Sequence, residues 1–269
     1  MRALGLLTDY GAGSEHVGAI HAVLARRAPG ADRIDLAHDL PAGRVRWASL
    51  VLGRLVGLLA QDGVVLAVVD PAVGSGRRAV VVRTATGVDL VGPDNGLLAP
   101  AAAALGGATM AIELRAPGDA PATFHGRDVF APAAAALAGG ADPGDLGAVA
   151  DPASLASPDV PAPEIYPGLI ATEVVGWDRF GNVATLAPGD ALGAAGLSVG
   201  DAVMVEAGAS HHGAIVGVAF ADVPAGDLVV HIDSHGWLAV AVNRGDAASV
   251  LAAEEGMRIR LRRSTPTAS

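Results

Sequence analysis

The sequence contains no cysteine and no lysine, and each absence excludes a class of chemistry. Without cysteine the chain has no disulfides, no thiol nucleophile and no Cys-ligated zinc or iron–sulfur centre. All 18 basic residues are arginines scattered along the chain, and the formal net charge is −10. No basic patch is available to bind a run of phosphate groups, so we expect no nucleic-acid partner.

Long apolar runs are also absent. No stretch reaches the roughly 18 residues that a membrane-spanning helix needs, so we expect no membrane association. Met1 leads directly into a strand-like segment without a charged region or a cleavage site, which argues against a signal peptide and for a cytoplasmic protein. The 269 residues are 51% hydrophobic and 17% charged, a composition typical of a folded protein rather than a disordered one.

The first half of the chain alternates strand-like and helix-like segments. Ser14 is a candidate helix N-cap, and Val17, Ile20 and Leu24 follow it at helical spacing. Residues 64–69 form a continuous apolar run, which is typical of a strand buried on both faces. Strands that alternate with helices predict a Rossmann-like α/β domain with a mostly parallel sheet, which we assign to residues 1–160.

The pattern changes after residue 141. Residues 141–168 are rich in proline, aspartate and alanine, a composition typical of a linker. Beyond residue 168 the apolar runs are short and strand-like, and turn residues separate them. This second pattern predicts a smaller, mostly antiparallel, β-barrel-like domain over residues 168–269.

Acidic residues follow the apolar strands of the first half, and open α/β sheets bind ligands beyond the carboxyl ends of their strands. Asp9 follows the first strand, where its carboxylate can bind a ribose diol, cap a helix or stabilise a turn. Asp70 ends the continuous apolar run, and Arg77 follows seven residues later, so the two can form an ion pair across a loop. That loop matches neither GxGxxG nor GxxxxGK(S/T), which disfavours a dinucleotide or P-loop site.

Other polar motifs of the chain allow both a structural and a chemical interpretation. His125 and Asp128, in TFHGRDVFAP, stand just before a predicted helix, where a histidine is either catalytic or structural. GPDNG, at residues 92–96, is typical of a loop that supports its neighbours. His211 and His212 have no third ligand at a metal-binding spacing, and we expect no metal site.

Two motifs of the second half combine polar and aromatic residues. WDRFGN contains Asp178, Phe180 and Asn182. These side chains can bind an ammonium group, a flat ring and the edge of a ring, respectively. The alternative interpretation is a β-turn. Ser234 and His235, in DSHG, stand at the end of a predicted strand, and a hairpin turn is the alternative interpretation.

Together these motifs resemble those of one family. LLTDYG, VVDPAVGSGRR, GPDNG, TFHGRDVFAP, DRFGN and DSHG follow the order that they have in the S-adenosylmethionine hydroxide adenosyltransferases, over nearly the whole chain. These enzymes are the water-using relatives of enzymes that fluorinate or chlorinate the same substrate. The resemblance implies hydrolysis of S-adenosylmethionine to adenosine and L-methionine by attack of water or hydroxide at the ribose C5′. No cofactor is implied, because S-adenosylmethionine is the substrate.

The resemblance also implies roles for individual residues and a state of assembly. The catalytic set falls on Asp70, Arg77 and His125, and the ribose-binding aspartate falls on Asp9. The contacts to methionine and adenine fall on Asp178, Phe180, Asn182, Ser234 and the adjoining His235. The family forms trimers, so we expect a homotrimer with active sites at the subunit interfaces.

Four positions depart from the family's usual residues without removing a catalytic candidate: Glu15, Ala72, Leu186 and Asp233. Two other functions remain as alternatives. One is an S-adenosylmethionine-dependent halogenase of the same family, in which the charge of Asp70 would repel a halide. The other is a non-catalytic protein that binds S-adenosylmethionine or a nucleoside, which would not need Asp70, Arg77 and His125 together.

Overall fold

The computed structural model describes residues 1–59, 62–115, 118 and 121–264. The chain divides into two compact units, Met1–Asp159 and Val160–Ser269. Within the described ranges, no helix combines the length and the apolar character that crossing a membrane would require.

The first unit contains a sheet of seven strands, counted over the described residues. The strands are β1 (Leu4–Thr8), β2 (Arg33–Ala37), β3 (Val64–Val68), β4 (Ala79–Thr84), β5 (Asp89–Pro93), β6 (Ala108–Leu114) and β7 (Gly147–Ala150). Their order across the sheet is β2-β1-β3-β5-β4-β6-β7. The first four strands in this order pair in parallel, and antiparallel pairings add the other three. β4 and β5 are consecutive along the chain and pair antiparallel as a hairpin.

Helices cover both faces of this sheet. In the part of the chain that the structure describes they are α1 (Glu15–Arg27), α2 (Val45–Leu55), α3 (Ala99–Ala104) and α4 (Ala131–Ala138), and a π-helical turn at Gly126–Phe130 precedes α4. Val64, Leu66 and Val68 of β3 share one hydrophobic core with α1 and α4, whereas Val65 and Ala67 share another with α2 and α3. Because both faces are covered, β3 is apolar at every position, and the predicted α/β class is confirmed.

Part of the proline-rich segment belongs to the sheet, so the linker interpretation is wrong for those residues. Gly147–Ala150 pairs with β6 as the edge strand β7. A side chain at Gly147 would collide with the carbonyl oxygen of Glu113, so this close approach requires glycine. The composition did not indicate a strand here, because an edge strand is held by main-chain hydrogen bonds that few side chains influence.

The second unit is a closed barrel of seven strands with one added strand, counted over the described residues. The elements are β8 (Glu164–Tyr166), β9 (Leu169–Trp177), β10 (Val183–Pro188), α5 (Ala191–Ala194), β11 (Ala202–Ala207), β12 (Ser210–Val216), β13 (Leu228–Ile232), β14 (Trp237–Val242), α6 (Ala247–Val250) and β15 (Arg258–Arg263). Around the barrel the order is β10-β14-β13-β12-β11-β15-β9, the pairing of β9 with β10 closes it, and β8 pairs with β9. The predicted barrel-like fold is confirmed; the one parallel pair described is that of β12 with β13.

Candidate active site

Two carboxylates stand where the order of the parallel strands reverses. The chain passes from β1 through α1 to β2 on one side of β1, and later returns to place β3 on the other side. Such a reversal creates a crevice beyond the carboxyl ends of the strands. Asp9 directly follows β1, and Asp70 stands two residues after the end of β3. The fold therefore brings the two predicted acidic residues to one edge of the sheet.

A cavity of about 550 Å³ opens at this edge, within the first unit. Its volume lies in the range of small-molecule binding sites. The polar side chains in its wall come from three segments: the end of β1 and the start of α1, the loop after β3, and the segment before the π-helical turn. The wall includes Asp9, Tyr10, His16, Asp70, Thr123 and Phe124.

The three predicted catalytic residues form one chain of contacts. Arg77 Nε donates to Oδ1 and Oδ2 of Asp70, at 3.1 and 2.9 Å, and Arg77 Nη2 also donates to Oδ2. Arg77 Nη2 lies 3.0 Å from Nδ1 of His125. The side chains of Arg77 and Asp70 are only 8% and 4% exposed, so this ion pair is nearly buried although the loop that joins the two residues is exposed. The guanidinium carbon lies 5.1 Å from the centre of the buried Phe130 ring.

The contact with Arg77 fixes the position of the proton on His125. A guanidinium carries only N–H donors, so Nδ1 of His125 accepts this hydrogen bond. The neutral imidazole then carries its proton on Nε2. Among the described residues that line the cavity, Asp70 is present whereas Arg77 and His125 are not. Asp70 therefore reaches the cavity wall, and Arg77, which His125 contacts, binds its carboxylate.

Asp9 is anchored at the cavity by a main-chain donor. Its Oδ2 accepts a hydrogen bond of 2.8 Å from the N–H of Gly43, in the turn before α2. The helix-cap interpretation of Asp9 is wrong, because Ser14 is the N-cap of α1 and accepts from the N–H of Val17. A carboxylate that lines the cavity and is held in this way is suited to accept hydrogen bonds from a ligand's hydroxyl groups.

Tyr10 is a cavity residue that the sequence analysis did not single out. Burial raises the pKa of its phenol, the charges of Asp9 and Asp70 raise it further, and the charge of Arg77 opposes them. The phenol is therefore neutral at neutral pH and offers an O–H donor to the cavity. The available signal was the place of Tyr10 beside Asp9 in LLTDYG, but a tyrosine after a strand is more commonly a packing residue.

The GPDNG loop supports its neighbours, as the sequence predicted, and one of them is the main chain directly before Asp70. Asn95 Nδ2 donates to the carbonyl oxygen of Val69, at 2.9 Å, directly before Asp70. Asp94 accepts from Arg78 Nε at 2.8 Å and from the N–H of Ala156 at 2.8 Å. The loop therefore fixes the main chain at the end of β3 and makes none of the contacts of Arg77 itself.

In the second unit, DRFGN forms the turn between β9 and β10. Asp178 Oδ1 accepts from the N–H groups of Phe180 and Asn182, at 2.8 and 3.0 Å, and Oδ2 accepts from Asn182 Nδ2 at 2.9 Å. Gly181 has a φ of +81°, and a side chain there would collide with Asp246. The turn interpretation is confirmed. A ligand-binding role stays a prediction, for which the exposed ring of Phe180 is available.

DSHG forms the turn between β13 and β14. Asp233 Oδ1 accepts from the N–H groups of His235 and Trp237, at 2.8 and 3.0 Å. This arrangement confirms the hairpin interpretation and leaves Ser234 and His235 exposed. Their predicted contact with substrate stays a prediction.

Comparison with known families shows to which family this chain belongs. The family model of the S-adenosylmethionine hydroxide adenosyltransferase N-terminal domain matches residues 4–147, and the family model of the C-terminal domain matches residues 172–260. This chain belongs to the S-adenosylmethionine hydroxide adenosyltransferase family. The resemblance carried by the sequence motifs is confirmed, and the two matches cover most of both units.

Individual members of the adenosyltransferase family match over nearly their whole length. The (R)-S-adenosyl-L-methionine hydrolase of Salinispora arenicola is 44% identical over 264 residues, which cover 96% of this chain and 97% of that protein. The hydrolase of the same name from Thermus thermophilus is 41% identical over 267 residues, 97% of this chain and 100% of that protein. The crystal structure of an uncharacterized conserved protein from Thermotoga maritima has a TM-score of 0.89 and 37% identity, and covers 97% of this chain and 100% of that chain.

The departures from the adenosyltransferase pattern fall on structurally tolerant positions. Leu186 is buried in β10, where an apolar side chain is ordinary. Asp233 makes turn hydrogen bonds that an asparagine oxygen would make equally well. Glu15 is exposed at the first turn of α1, and Ala72 is exposed in the loop after β3.

Proposed function

We propose that this protein hydrolyses S-adenosylmethionine to adenosine and L-methionine. The observation that carries the proposal is the contact chain in which His125 contacts Arg77 and Arg77 binds Asp70 at the cavity wall. Asp9, in the same wall, is suited to a ribose diol. The names of the relatives from Salinispora and Thermus support the same reaction.

The reaction is a substitution at the ribose C5′. The C5′–S bond breaks with both electrons going to sulfur, so the sulfonium leaves as the neutral thioether of methionine. Water is a poor nucleophile, because its pKa is about 15.7 and free hydroxide is scarce at neutral pH. Asp70 accepts a hydrogen bond from the attacking water and takes up its proton as the C5′–O bond forms. The proton then passes to solvent, and adenosine carries the new 5′-hydroxyl.

Positioning supplies much of the catalysis in this proposal. A water held in line with the C5′–S bond avoids an entropic barrier of up to roughly 7–11 kcal/mol in the best intramolecular cases. Arg77 fixes the direction of the Asp70 carboxylate, and His125 fixes Arg77. Asp9 places C5′ by holding the ribose, and Tyr10 lends a neutral O–H donor to the same wall.

The relatives are named for the (R) epimer of the substrate at its sulfonium sulfur. We extend this preference to the present chain. Both epimers carry the same adenosine and the same reactive C5′, so they differ only in the direction in which the methionine tail leaves the sulfur. A site that fixes the ribose and the tail separately discriminates between these directions.

We propose further that the active form is a homotrimer with shared sites. Asp178, Phe180, Asn182, Ser234 and His235 of one chain would contact the methionine and adenine groups bound at the cavity of a neighbouring chain. The family resemblance supports this arrangement, as does the exposure of Phe180, Ser234 and His235. The cytoplasmic location expected from the sequence stays a prediction as well.

The decisive experiment traces the oxygen atom of water into the adenosine product. Purified protein is incubated with each epimer of S-adenosylmethionine in oxygen-18 water, and the products are identified by mass spectrometry. We expect adenosine labelled at the 5′-hydroxyl, together with methionine, and faster turnover of the (R) epimer.

Other products would identify the alternatives. In a chloride buffer, 5′-chloro-5′-deoxyadenosine would indicate a halogenase. Tight binding of substrate without turnover of either epimer would indicate a non-catalytic binding protein, for which a calorimetric titration supplies the affinity. The variant Asp70→Ala is the matched control that shows the products come from this site.

A further inference from the structure

Three side chains outside the catalytic set converge on one carboxylate oxygen. His21 lies on α1, Asp35 lies on β2, and His38 follows β2. Nε2 of His21 lies 2.9 Å from Oδ1 of Asp35, and Nε2 of His38 lies 3.1 Å from the same oxygen. One ligand atom from each of the three residues fits within 4.8 Å of the others. We call these residues the His–Asp–His cluster.

His38 is the unusual member of this cluster. Its side chain is 5% exposed, and its Nε2 lies 3.1 Å from Oδ1 of Asp35. Among the described residues, no group meets this buried nitrogen with the geometry of a hydrogen bond. A buried imidazole nitrogen without a well-directed hydrogen bond is costly, so its position beside two other ligand atoms calls for a physical explanation.

The other nitrogen of His38 is set for metal binding. Nδ1 lies 2.8 Å from Oγ1 of Thr8, and the same Oγ1 accepts from the N–H of Tyr10 at 3.3 Å. When Nδ1 donates its proton to Thr8, Nε2 is left with a free lone pair. A ligating histidine ordinarily donates its second ring nitrogen to an oxygen in this way, which fixes the tautomer and the ring orientation.

We infer that the His–Asp–His cluster binds a divalent transition-metal cation, and that Zn²⁺ is the ion it suits best. Two imidazoles and one carboxylate are the donors of many zinc sites, with zinc–ligand distances of about 2.0–2.2 Å. Ligand atoms around such an ion lie roughly 3–4 Å from one another, close to the spacing of the cluster. Mg²⁺ and Ca²⁺ prefer oxygen ligands and fit it poorly. His21 and Asp35, 32% and 50% exposed, leave the site open to solvent on one side.

The proposed ion would join three parts of the first unit. It would tie α1 to the edge strand β2 and to the residue after β2. The carbonyl oxygen of His38 accepts from the N–H of Gly11 at 2.8 Å, so the site is also connected to the loop that carries Asp9 and Tyr10. The cluster shares no residue with the proposed catalytic set, and its role here is to stabilise the fold.

The test is a metal titration of the tag-free chain after treatment with a chelator. We expect calorimetry to show one Zn²⁺ bound per chain, whereas Mg²⁺ at the same concentration does not bind. At a hundredfold excess of zinc over its Kd, Tm should rise by about 5–10 °C. His21→Ala should weaken zinc binding at least about tenfold, because it removes a ligand from a partly exposed position.

Matched variants locate the site. Asp32→Asn removes a nearby exposed carboxylate, and His211→Ala removes an exposed histidine of the other unit; both should bind zinc as the unsubstituted chain does. Asp35→Asn should lose zinc binding as His21→Ala does, and circular dichroism of the metal-free variants verifies that they are folded. Zinc binding that is absent, that survives both cluster substitutions, or that is lost in His211→Ala overturns the inference. None of these outcomes depends on turnover of S-adenosylmethionine.

Discussion

At the scale of single residues, the members of the proposed catalytic set contact one another in a row. His125 contacts Arg77, Arg77 contacts Asp70, and Asp70 is the member of the three that belongs to the described residues of the cavity wall. One kind of residue touches the reacting water, and another kind positions that first residue. A conservative substitution can preserve the positioning role while it abolishes the direct role. Asp9 belongs to neither group, because it is placed to hold a part of the substrate that does not react.

Asp70→Asn should lower the single-turnover rate by about 10²–10⁴-fold, the usual loss when a proton acceptor is removed. Asp9→Ala should instead weaken substrate binding by about 1.5–3 kcal/mol, the usual value of a hydrogen bond to a charged group, with a near-normal rate at saturation. Calorimetric affinity and rapid-quench rates separate the two effects. If Asp70→Asn loses affinity but keeps its rate, our assignment of the proton acceptor is wrong.

The role of His125 can be tested with a variant that keeps only its hydrogen-bond acceptor for Arg77. In His125→Asn the side-chain oxygen can replace Nδ1 as the acceptor for Arg77, whereas His125→Ala provides no acceptor. If His125 acts by positioning Arg77, the asparagine variant should retain at least about tenfold more of the rate than the alanine variant, with similar KM for both. Equal losses would mean that the Nε2 proton of His125 meets the substrate or the water directly.

At the scale of elements, the π-helical turn before α4 positions the cavity wall. Gly126 lies in this turn, and a Cβ at that position would lie 2.7 Å from Tyr10 Oη and 3.3 Å from Phe124 Cε2. Both neighbours belong to the cavity wall. Because residue 126 has no side chain, Tyr10 and Phe124 can occupy these positions in the cavity wall.

Gly126→Ala should displace Tyr10 and raise KM, with an overpacking cost of about 1–3 kcal/mol in stability. Gly18→Ala is the matched control, because Gly18 lies in α1 with nothing within 4 Å of the position of its missing Cβ. That control should stabilise the chain by about 0.5–1 kcal/mol through helix propensity and leave KM unchanged. An unchanged KM in Gly126→Ala would show that Tyr10 does not shape the binding site.

Asp246, the N-cap of α6, makes the second unit sensitive to acid. The N–H and the hydroxyl of Ser249 donate to its carboxylate and lower its pKa from the ordinary value of 3.8. A lowered pKa adds stability above the ordinary value that is lost as the pH falls through the lowered one. Asp246→Asn should therefore be less stable than the parent in urea unfolding at pH 7, and the difference should shrink as the pH falls from 5 to 3. Parallel pH profiles would contradict this role.

The sequence predicted those elements whose side chains decide their structure. The continuous apolar run of β3 and the capped periodicity of α1 both gave the correct element, because burial on two faces or on one face imposes a pattern. It did not predict β7, since main-chain pairing leaves little trace in composition. It also could not predict the His–Asp–His cluster, because His21 and Asp35 meet only through the packing of α1 on the sheet, or the tautomer of His125, which depends on one contact.

At the scale of the whole molecule, the shared-site proposal predicts complementation between two inactive proteins. Asp70→Ala removes the catalytic carboxylate, and Asp178→Ala removes a residue that we assign to the neighbouring chain's substrate. Mixed trimers that can exchange subunits should contain some sites with both residues intact. We expect part of the activity to return after mixing, in proportion to the exchange measured by mass spectrometry. No recovery despite verified exchange would mean that each site is complete within one chain.

The closure of the barrel has a consequence for the order of events during synthesis. β15 pairs with β9 on one side and with β11 on the other, yet it is translated after every other strand of the barrel. Until it emerges from the ribosome, β9 and β11 each present an open edge, the kind of surface on which chains aggregate. The first unit has by then been released in full, and domains generally fold as units as they emerge. A ribosome that pauses before residue 258 would therefore hold a folded α/β unit joined to an open and vulnerable barrel.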